Sequence, residues 1–167
     1  MVPKIKRDKT PEQALASLMR LCAKAERSSG DALRLMHRWG LTDADARRVL
    51  DRLQKDRFID DNRYAEAFVR EKMNLSGWGA YKIGATLRTK GIAQPIIAQA
   101  MEQLDGTDMH ERLSGLIARR LRTLRAKSPY DARAKLVRYA LSQGYDYATA
   151  RECVEKAVVA EGDEVDF

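Results

Sequence analysis

Apolar residues recur at intervals of three and four along most of this 167-residue chain, as they do on the buried face of an α-helix. The helical pattern is broken at Gly40, Gly91 and Gly144, and a further helical run follows each glycine. The apolar positions around Gly40 reappear 51 residues later, and again 53 residues after that with smaller side chains. The pattern therefore predicts a helical unit that occurs three times.

The ends of the predicted helices carry specific signals. Thr10, Pro11 and Gln13 have the order of a helix cap, a first-turn proline and a capping box, and Ser29 is predicted to cap the second helix. Each of the three glycines is predicted to end a helix in the left-handed conformation, where a side chain would be strained. No alternating run of strand length occurs in the sequence, so the predicted fold is all-α, with three tandem three-helix repeats.

The repeat boundaries define the predicted domain organisation. Three-helix repeats are expected at residues 10–57, 58–106 and 107–160, between a flexible basic N-terminus (1–9) and a flexible acidic C-terminus (161–167). A unit of roughly 50 residues buries too little apolar surface to be stable alone. We therefore expect neighbouring repeats to cover one another in an elongated array.

The second repeat opens with two adjacent carboxylates. Asp60 is placed to accept hydrogen bonds from the free N–H groups of the next helix, and Asp61 adds negative charge at its positive end. Ile59 is expected to pack on Tyr64. Paired aspartates also occur in acid–base and metal sites, but here helix capping explains both residues.

No catalytic, cofactor or metal site is predicted. His37 and His110 stand alone, and metal sites require several convergent ligands. The sequence around Gly77 and Gly79 is not a phosphate loop, because no strand precedes it and no Gly-Lys-Ser follows. Trp78, between these glycines, has two interpretations: a lid on the bundle or an exposed anchor for a partner.

The charge of the chain favours a polyanionic partner. The formal net charge is +7 and the isoelectric point is near 9.5. One basic group lies between residues 110 and 138, and another follows Gly40. The candidate binding residues are Arg119, Arg122, Arg125, Lys127, Arg133, Arg138, Arg47, Arg48, Arg52, Arg63 and Arg70.

The sequence also bears on location. Cys22 and Cys153 lie far apart on apolar helix positions, which gives no support for a disulfide framework. No apolar stretch approaches the roughly 20 residues of a membrane span, and the first residues lack the apolar segment of a secretion signal. We expect a cytoplasmic protein without membrane contact.

The middle third contains a specific series of motifs within residues 58–72, 77–83 and 87–92. In order, they are Asp60-Asp61, Arg63-Tyr64-Ala65, Phe68-Val69, the Gly77 and Gly79 pair, and Leu87-Arg88-Thr89-Lys90-Gly91-Ile92. This series resembles the central signature of the RecX family. The motif and repeat residues are Asp60, Asp61, Tyr64, Phe68, Gly77, Gly79, Gly40, Gly91 and Gly144.

The resemblance implies a bacterial regulator of RecA, the recombinase that coats single-stranded DNA. Family members form curved arrays of three-helix repeats that bind the groove of the RecA–DNA filament. The resemblance therefore implies a monomeric protein without enzymatic activity. It is expected to inhibit the recombinase, ATPase and coprotease activities of RecA, and so to regulate recombination, DNA repair and the SOS response.

Other binding functions remain open. A stand-alone DNA-binding protein could use the same basic face to track phosphates without RecA. A helix–turn–helix reader of DNA sequence is a weaker alternative, because the helix after Gly91 carries no cation. A helical scaffold for another acidic partner is the third.

Overall fold

A computed structural model describes residues 8–163 of the chain, and within this range it contains nine α-helices and no strand. The all-α prediction is confirmed for these residues. The helices are α1 (Pro11–Lys24), α2 (Ser29–Arg38), α3 (Asp43–Lys55), α4 (Asp61–Asn74), α5 (Ala80–Thr89), α6 (Gln94–Met101), α7 (Gly106–Thr123), α8 (Pro129–Ser142) and α9 (Tyr147–Asp163). Most of the two predicted flexible termini, residues 1–7 and 164–167, lies outside the described residues.

The chain forms two compact units. Unit 1 contains the residues up to Ala67 together with Leu87–Ala100, and unit 2 contains Phe68–Thr86 together with the residues from Met101 onward. Helices α4 and α5 each contribute residues to both units. The second predicted repeat is therefore divided between the two units along the chain.

The core of unit 1 is built from α1, α2 and α3, with both α1 and α2 packed on α3. Leu18, Met36 and Leu53 are fully buried there. Each large aliphatic side chain buried in this way contributes about 1.5–3 kcal/mol to folding. The apolar stripe of each helix thus accounts for the association of the three.

The core of unit 2 lies between α7, α8 and α9. Leu113, Ile117 and Leu136 are fully buried, and so are the small residues Ala140 and Ala150. These alanines belong to the third copy of the helical unit, in which the apolar positions carry smaller side chains. Their burial shows that the third copy forms a hydrophobic core, as the first copy does.

The three predicted glycine helix ends are confirmed. Gly40, Gly91 and Gly144 have φ values of 85°, 76° and 96°. In each case the N–H of the following residue donates to the carbonyl five positions earlier, at 3.1–3.2 Å. This bond satisfies a helix-end carbonyl and requires the left-handed residue before it.

The cap of α2 differs from the prediction by one residue. Ser28, not Ser29, is the N-cap, since its Oγ accepts a hydrogen bond from the Asp31 N–H at 3.2 Å. The same hydroxyl donates to the carbonyl of Lys90 at 2.8 Å, and Ser28 is fully buried. The contact with the end of α5, which is remote in sequence, explains why the buried serine is the cap.

A similar backbone contact occurs in each unit. In unit 1, Gly30 at the start of α2 lies against the backbone of Lys90 and Gly91 at the end of α5. In unit 2, Gly79 before α5 lies against Gly144 at the end of α8, and its N–H donates to the carbonyl of Gln143 at 2.7 Å. Thus the start of one repeat's middle helix meets the end of the next repeat's middle helix. We call this contact the helix-end joint.

Replacing Gly144 by alanine should destabilise the protein strongly. The left-handed conformation costs a non-glycine residue about 1–2 kcal/mol, and a Cβ would lie 2.4 Å from the Cβ of Lys82. We expect Gly144→Ala to lower the free energy of unfolding by about 2 kcal/mol or more in urea denaturation. Gly106→Ala is the matched control, because nothing lies within 4 Å of the Cβ position there. Equal stability of the two variants would contradict this account of the joint.

Candidate polyanion-binding surface

The last turn of α7 and the connection to α8 expose several cations of unit 2. Leu121 and Leu124 are half-buried against the core, which leaves the neighbouring Arg122 and Arg125 in solvent. Lys127 is also exposed. None of these three cations forms an ion pair with another described residue.

A network of hydrogen bonds fixes the connection. The Oγ of Ser128 caps α8 by accepting from the Asp131 N–H at 3.1 Å, and the Asp131 carboxylate accepts from the Lys127 N–H at 3.0 Å. The ammonium of Lys135 lies 3.0 Å from the Asp131 carboxylate and donates to the carbonyl of Arg125 at 2.8 Å. The bond from the Lys127 N–H, followed by that from Lys135, lowers the pKa of Asp131. The backbone that carries Arg125 and Lys127 is thereby held in place.

The cations of α8 differ in their availability. Arg133 donates to both carboxylate oxygens of Glu155, at 2.9 and 3.2 Å. Arg138 is exposed and has no ion pair among the described residues. Five of the predicted candidates on α7, α8 and their connection are exposed and form no ion pair with a described residue; here called the basic set, they are Arg119, Arg122, Arg125, Lys127 and Arg138. Arg70 of α4 is likewise exposed and without an ion pair in the described part of unit 2.

In unit 1, most of the predicted candidates are neutralised. The pairs are Arg48 with Asp45, Arg52 with Asp56 at 2.5 Å, and Arg63 with Glu26 at 2.7 Å. Arg63 also donates to the carbonyl of Arg57 at 3.1 Å, which ties it to the chain after α3. Arg47 alone of the four has no ion pair with a described residue. Unit 1 therefore offers less free positive charge than its sequence suggests.

The two aspartates of the central motif cap two different helices. Asp60 accepts from the Arg63 N–H at 3.2 Å and so caps its own helix, as predicted. The carboxylate of Asp61 instead binds the start of α2, where it accepts from the N–H of Ser29 at 2.8 Å and from its hydroxyl. This second bond was missed because the partner lies 32 residues away in the sequence. Tyr64 follows on α4, where it is half-buried.

Trp78 lies within a group of side chains of unit 2. Its ring meets the edge of Phe68 at a centroid distance of 6.2 Å. The ammonium groups of Lys72 and Lys82 lie 5.0 and 4.3 Å from its centroid. Trp78 is half-buried, and Gly77 beside it has a φ of 67°. These contacts favour the lid over the exposed anchor.

Residues 8–163 contain no group of three or more His, Cys, Asp or Glu side chains that could hold a metal ion. Cys153 is buried, with its Sγ 3.5 Å from Nε2 of His110, and Cys22 is a free thiol. No described helix has the length and apolarity of a membrane span.

Tandem three-helix units with exposed, unneutralised cations define a helical-repeat protein suited to binding. Similarity to known proteins identifies the family within this class. Models of the second and third three-helix domains of RecX match residues 60–101 and 107–154. The regulatory protein RecX of Mycobacterium leprae is 32% identical over 152 residues, which cover 90% of this chain and 88% of the relative. The chain belongs to the RecX family of regulatory proteins.

Further relatives and two solved structures are also RecX proteins. The Streptomyces coelicolor regulatory protein RecX is 27% identical, with 93% of this chain and 82% of the relative covered. That of Clostridium botulinum Eklund 17B is 29% identical over 81% of this chain, which spans 62% of the relative's length. The crystal structure of RecX from Lactobacillus salivarius has a TM-score of 0.75 at 19% identity and covers 89% of this chain and 97% of its own. A second crystal structure, of a regulatory protein RecX, has a TM-score of 0.80 at 20% identity, covering 87% and 73%. At these identities the structures show the fold alone.

The capping network at Asp131 should make stability depend on pH. Its pKa is lowered in the folded state from an ordinary value of 3.8, so its contribution is complete above about pH 5. That contribution is lost as the pH falls through the folded-state pKa. We expect Asp131→Asn to be less stable than the natural protein at pH 6, and the difference to shrink below pH 4, in urea denaturation. Asp51→Asn, at an exposed aspartate without a hydrogen bond to a described residue, should show no such trend. A difference that persists unchanged at low pH would contradict the role of the carboxylate.

Proposed function

We propose that this chain binds the RecA–DNA filament and inhibits it. The observation that carries the proposal is the basic set, five exposed cations without carboxylate partners among the described residues, in a member of the RecX family. Cations of this kind can neutralise phosphates and release their counterions. A nucleoprotein filament offers such phosphates together with protein surface.

The repeated architecture supports a polymeric partner. Each three-helix repeat can make a weak contact, and contacts along one chain reinforce one another through their high effective concentration. In this proposal the repeats at residues 10–57, 58–106 and 107–160 are the binding modules. Neither a deep pocket nor a cofactor is needed, so the protein acts without catalysis.

The proposed consequence is a loss of RecA activity. A protein bound along the filament would restrain its growth and its recombinase, ATPase and coprotease activities. Through these it would regulate recombination, DNA repair and the SOS response. The protein would act as a cytoplasmic monomer.

A second candidate function is DNA binding without RecA, which the basic set also favours. If it holds, binding to naked DNA should be tight and steeply salt-dependent. The logarithm of the binding constant should then fall with a slope of about −0.7 per phosphate neutralised on single strands, or about −0.9 on duplex. Tight binding to the filament with weak binding to the same naked DNA would favour the RecA partner.

Charge reversal in the basic set tests the proposal. The triple variant Arg122→Glu, Arg125→Glu and Arg138→Glu should bind RecA filaments on single-stranded DNA at least about tenfold more weakly, because three phosphate contacts become repulsive. Co-sedimentation with the filament and the rate of RecA ATP hydrolysis are the measurements.

The control variant carries Lys24→Glu, Lys55→Glu and Arg151→Glu, which change the net charge equally at exposed positions outside the candidate residues. It should bind and inhibit as the natural protein does, and both variants should keep their helicity. Equal loss in both variants would argue for net charge alone. An unaltered ATPase rate at several-fold excess of the natural protein would refute the proposed function.

A further inference from the structure

A groove of about 490 Å³ runs along α7 in unit 2. One wall is the segment of residues 73–77, which comprises the last two residues of α4 and the three that follow, and the other is a single face of α7. The α7 residues Asp108, Arg112, Gly115 and Arg119 are spaced three or four apart, so they share this face. Neither the helix caps nor the basic set explains the open space between the walls.

Gly115 forms the middle of the groove, and the fold does not require a glycine there. A Cβ added at Gly115 would meet no atom within 4 Å. The residue lies inside α7, where glycine is less favourable than alanine. The glycines of the helix-end joints lie against backbone atoms, so Gly115 is of a different kind. What it provides is room above the helix.

Apolar surface borders this room. Leu75 is 83% exposed, and Leu116 is half-buried beside it in the same groove. An aliphatic side chain of a partner in the groove would have these two leucines as its apolar neighbours. Burial of apolar surface is the main favourable contribution to protein association.

The charges of the groove are polarised along α7. Asp108 and Glu111 lie toward its start and Arg119 toward its end. At 1.5 Å per residue, Arg119 is about 16 Å from Asp108 along the helix. Between them, Nη1 of Arg112 donates to the carbonyl of Met73 at 3.4 Å, and its enclosed Nε has no hydrogen-bond partner among the described residues. The acidic end disfavours a nucleic-acid strand along the groove, because phosphates would be repelled there.

We infer that the groove binds a segment of a partner protein. The segment places an aliphatic side chain above Gly115, a carboxylate toward Arg119 and a cation toward Asp108. This inference rests on the proposed function in one respect: the partner is taken to be RecA in its filament. The groove is then a protein contact, separate in chemistry from the phosphate contacts of Arg122, Arg125, Lys127 and Arg138.

Filling the groove tests the inference. Gly115→Trp should weaken co-sedimentation with RecA filaments on single-stranded DNA by about tenfold or more, as expected for blocking a central contact. Gly115→Ala is the matched control and should bind within about twofold of the natural protein. Both variants should melt no lower than the natural protein, since both residues favour a helix more than glycine does. A loss of binding in Gly115→Trp therefore would not reflect unfolding.

The exposed leucine provides a second test. Leu75→Ser should weaken filament binding while leaving the melting temperature unchanged, because the side chain is almost wholly in solvent. Leu141→Ser, at an exposed leucine outside the groove, should leave filament binding unchanged. Binding of a naked oligonucleotide should be the same for all these variants and the natural protein.

The outcomes separate the inference from the proposed function. If the natural protein binds the filament and Gly115→Trp binds equally well, the inference is overturned and the proposed function stands. If Gly115→Trp loses naked-oligonucleotide binding in parallel, the groove is a nucleic-acid site and the inference is overturned. If the natural protein self-associates in sedimentation and Gly115→Trp does not, the groove binds a second copy of this chain, and the inference is again overturned. If the natural protein does not bind the filament, both proposals fail.

Discussion

The close approach of backbone to backbone at the helix-end joint is the constraint on which the repeats depend. At Gly79 an added Cβ would lie 2.5 Å from the carbonyl of Gly144, and at Gly30 it would lie 2.4 Å from the carbonyl of Lys90. Only glycine allows the start of one helix to approach the end of another so closely. The joint satisfies backbone groups that helix ends leave free, which is why it can recur with different side chains.

Hydrogen bonds to backbone groups also determine the structure of the candidate surface. Asp131 accepts from the chain before α8, and Lys135 holds the carbonyl of Arg125. Two charged groups of the basic region are thus used to order the backbone, and the cations beside them stay in solvent. The positive charge available to a partner is therefore set by which cations lack a carboxylate within reach.

Much of the fold could be predicted from the sequence because its determinants are local. Helical spacing, the left-handed glycines and the Asp60 cap each depend on residues within a few positions of one another. The hydrogen bonds that Ser29 donates to the Asp61 carboxylate and the pair of Arg133 with Glu155 could not be predicted, since they depend on how distant segments pack. The left-handed residue after α3 was also missed, because Arg57, with a φ of 59°, takes the place where glycine is the usual signal.

For the candidate surface, the sequence overstates the free charge. Of the eleven predicted cations, Arg48, Arg52, Arg63 and Arg133 are paired with carboxylates of the described chain. Those of the basic set lie on α7, α8 and their connection, and Arg119 also borders the groove along α7. Under the proposed function, α7 would present cations to phosphates next to a groove, bordered by Leu75 and Leu116, that would bind protein. In that proposal, a filament made of both protein and nucleic acid would match the combination better than either component alone.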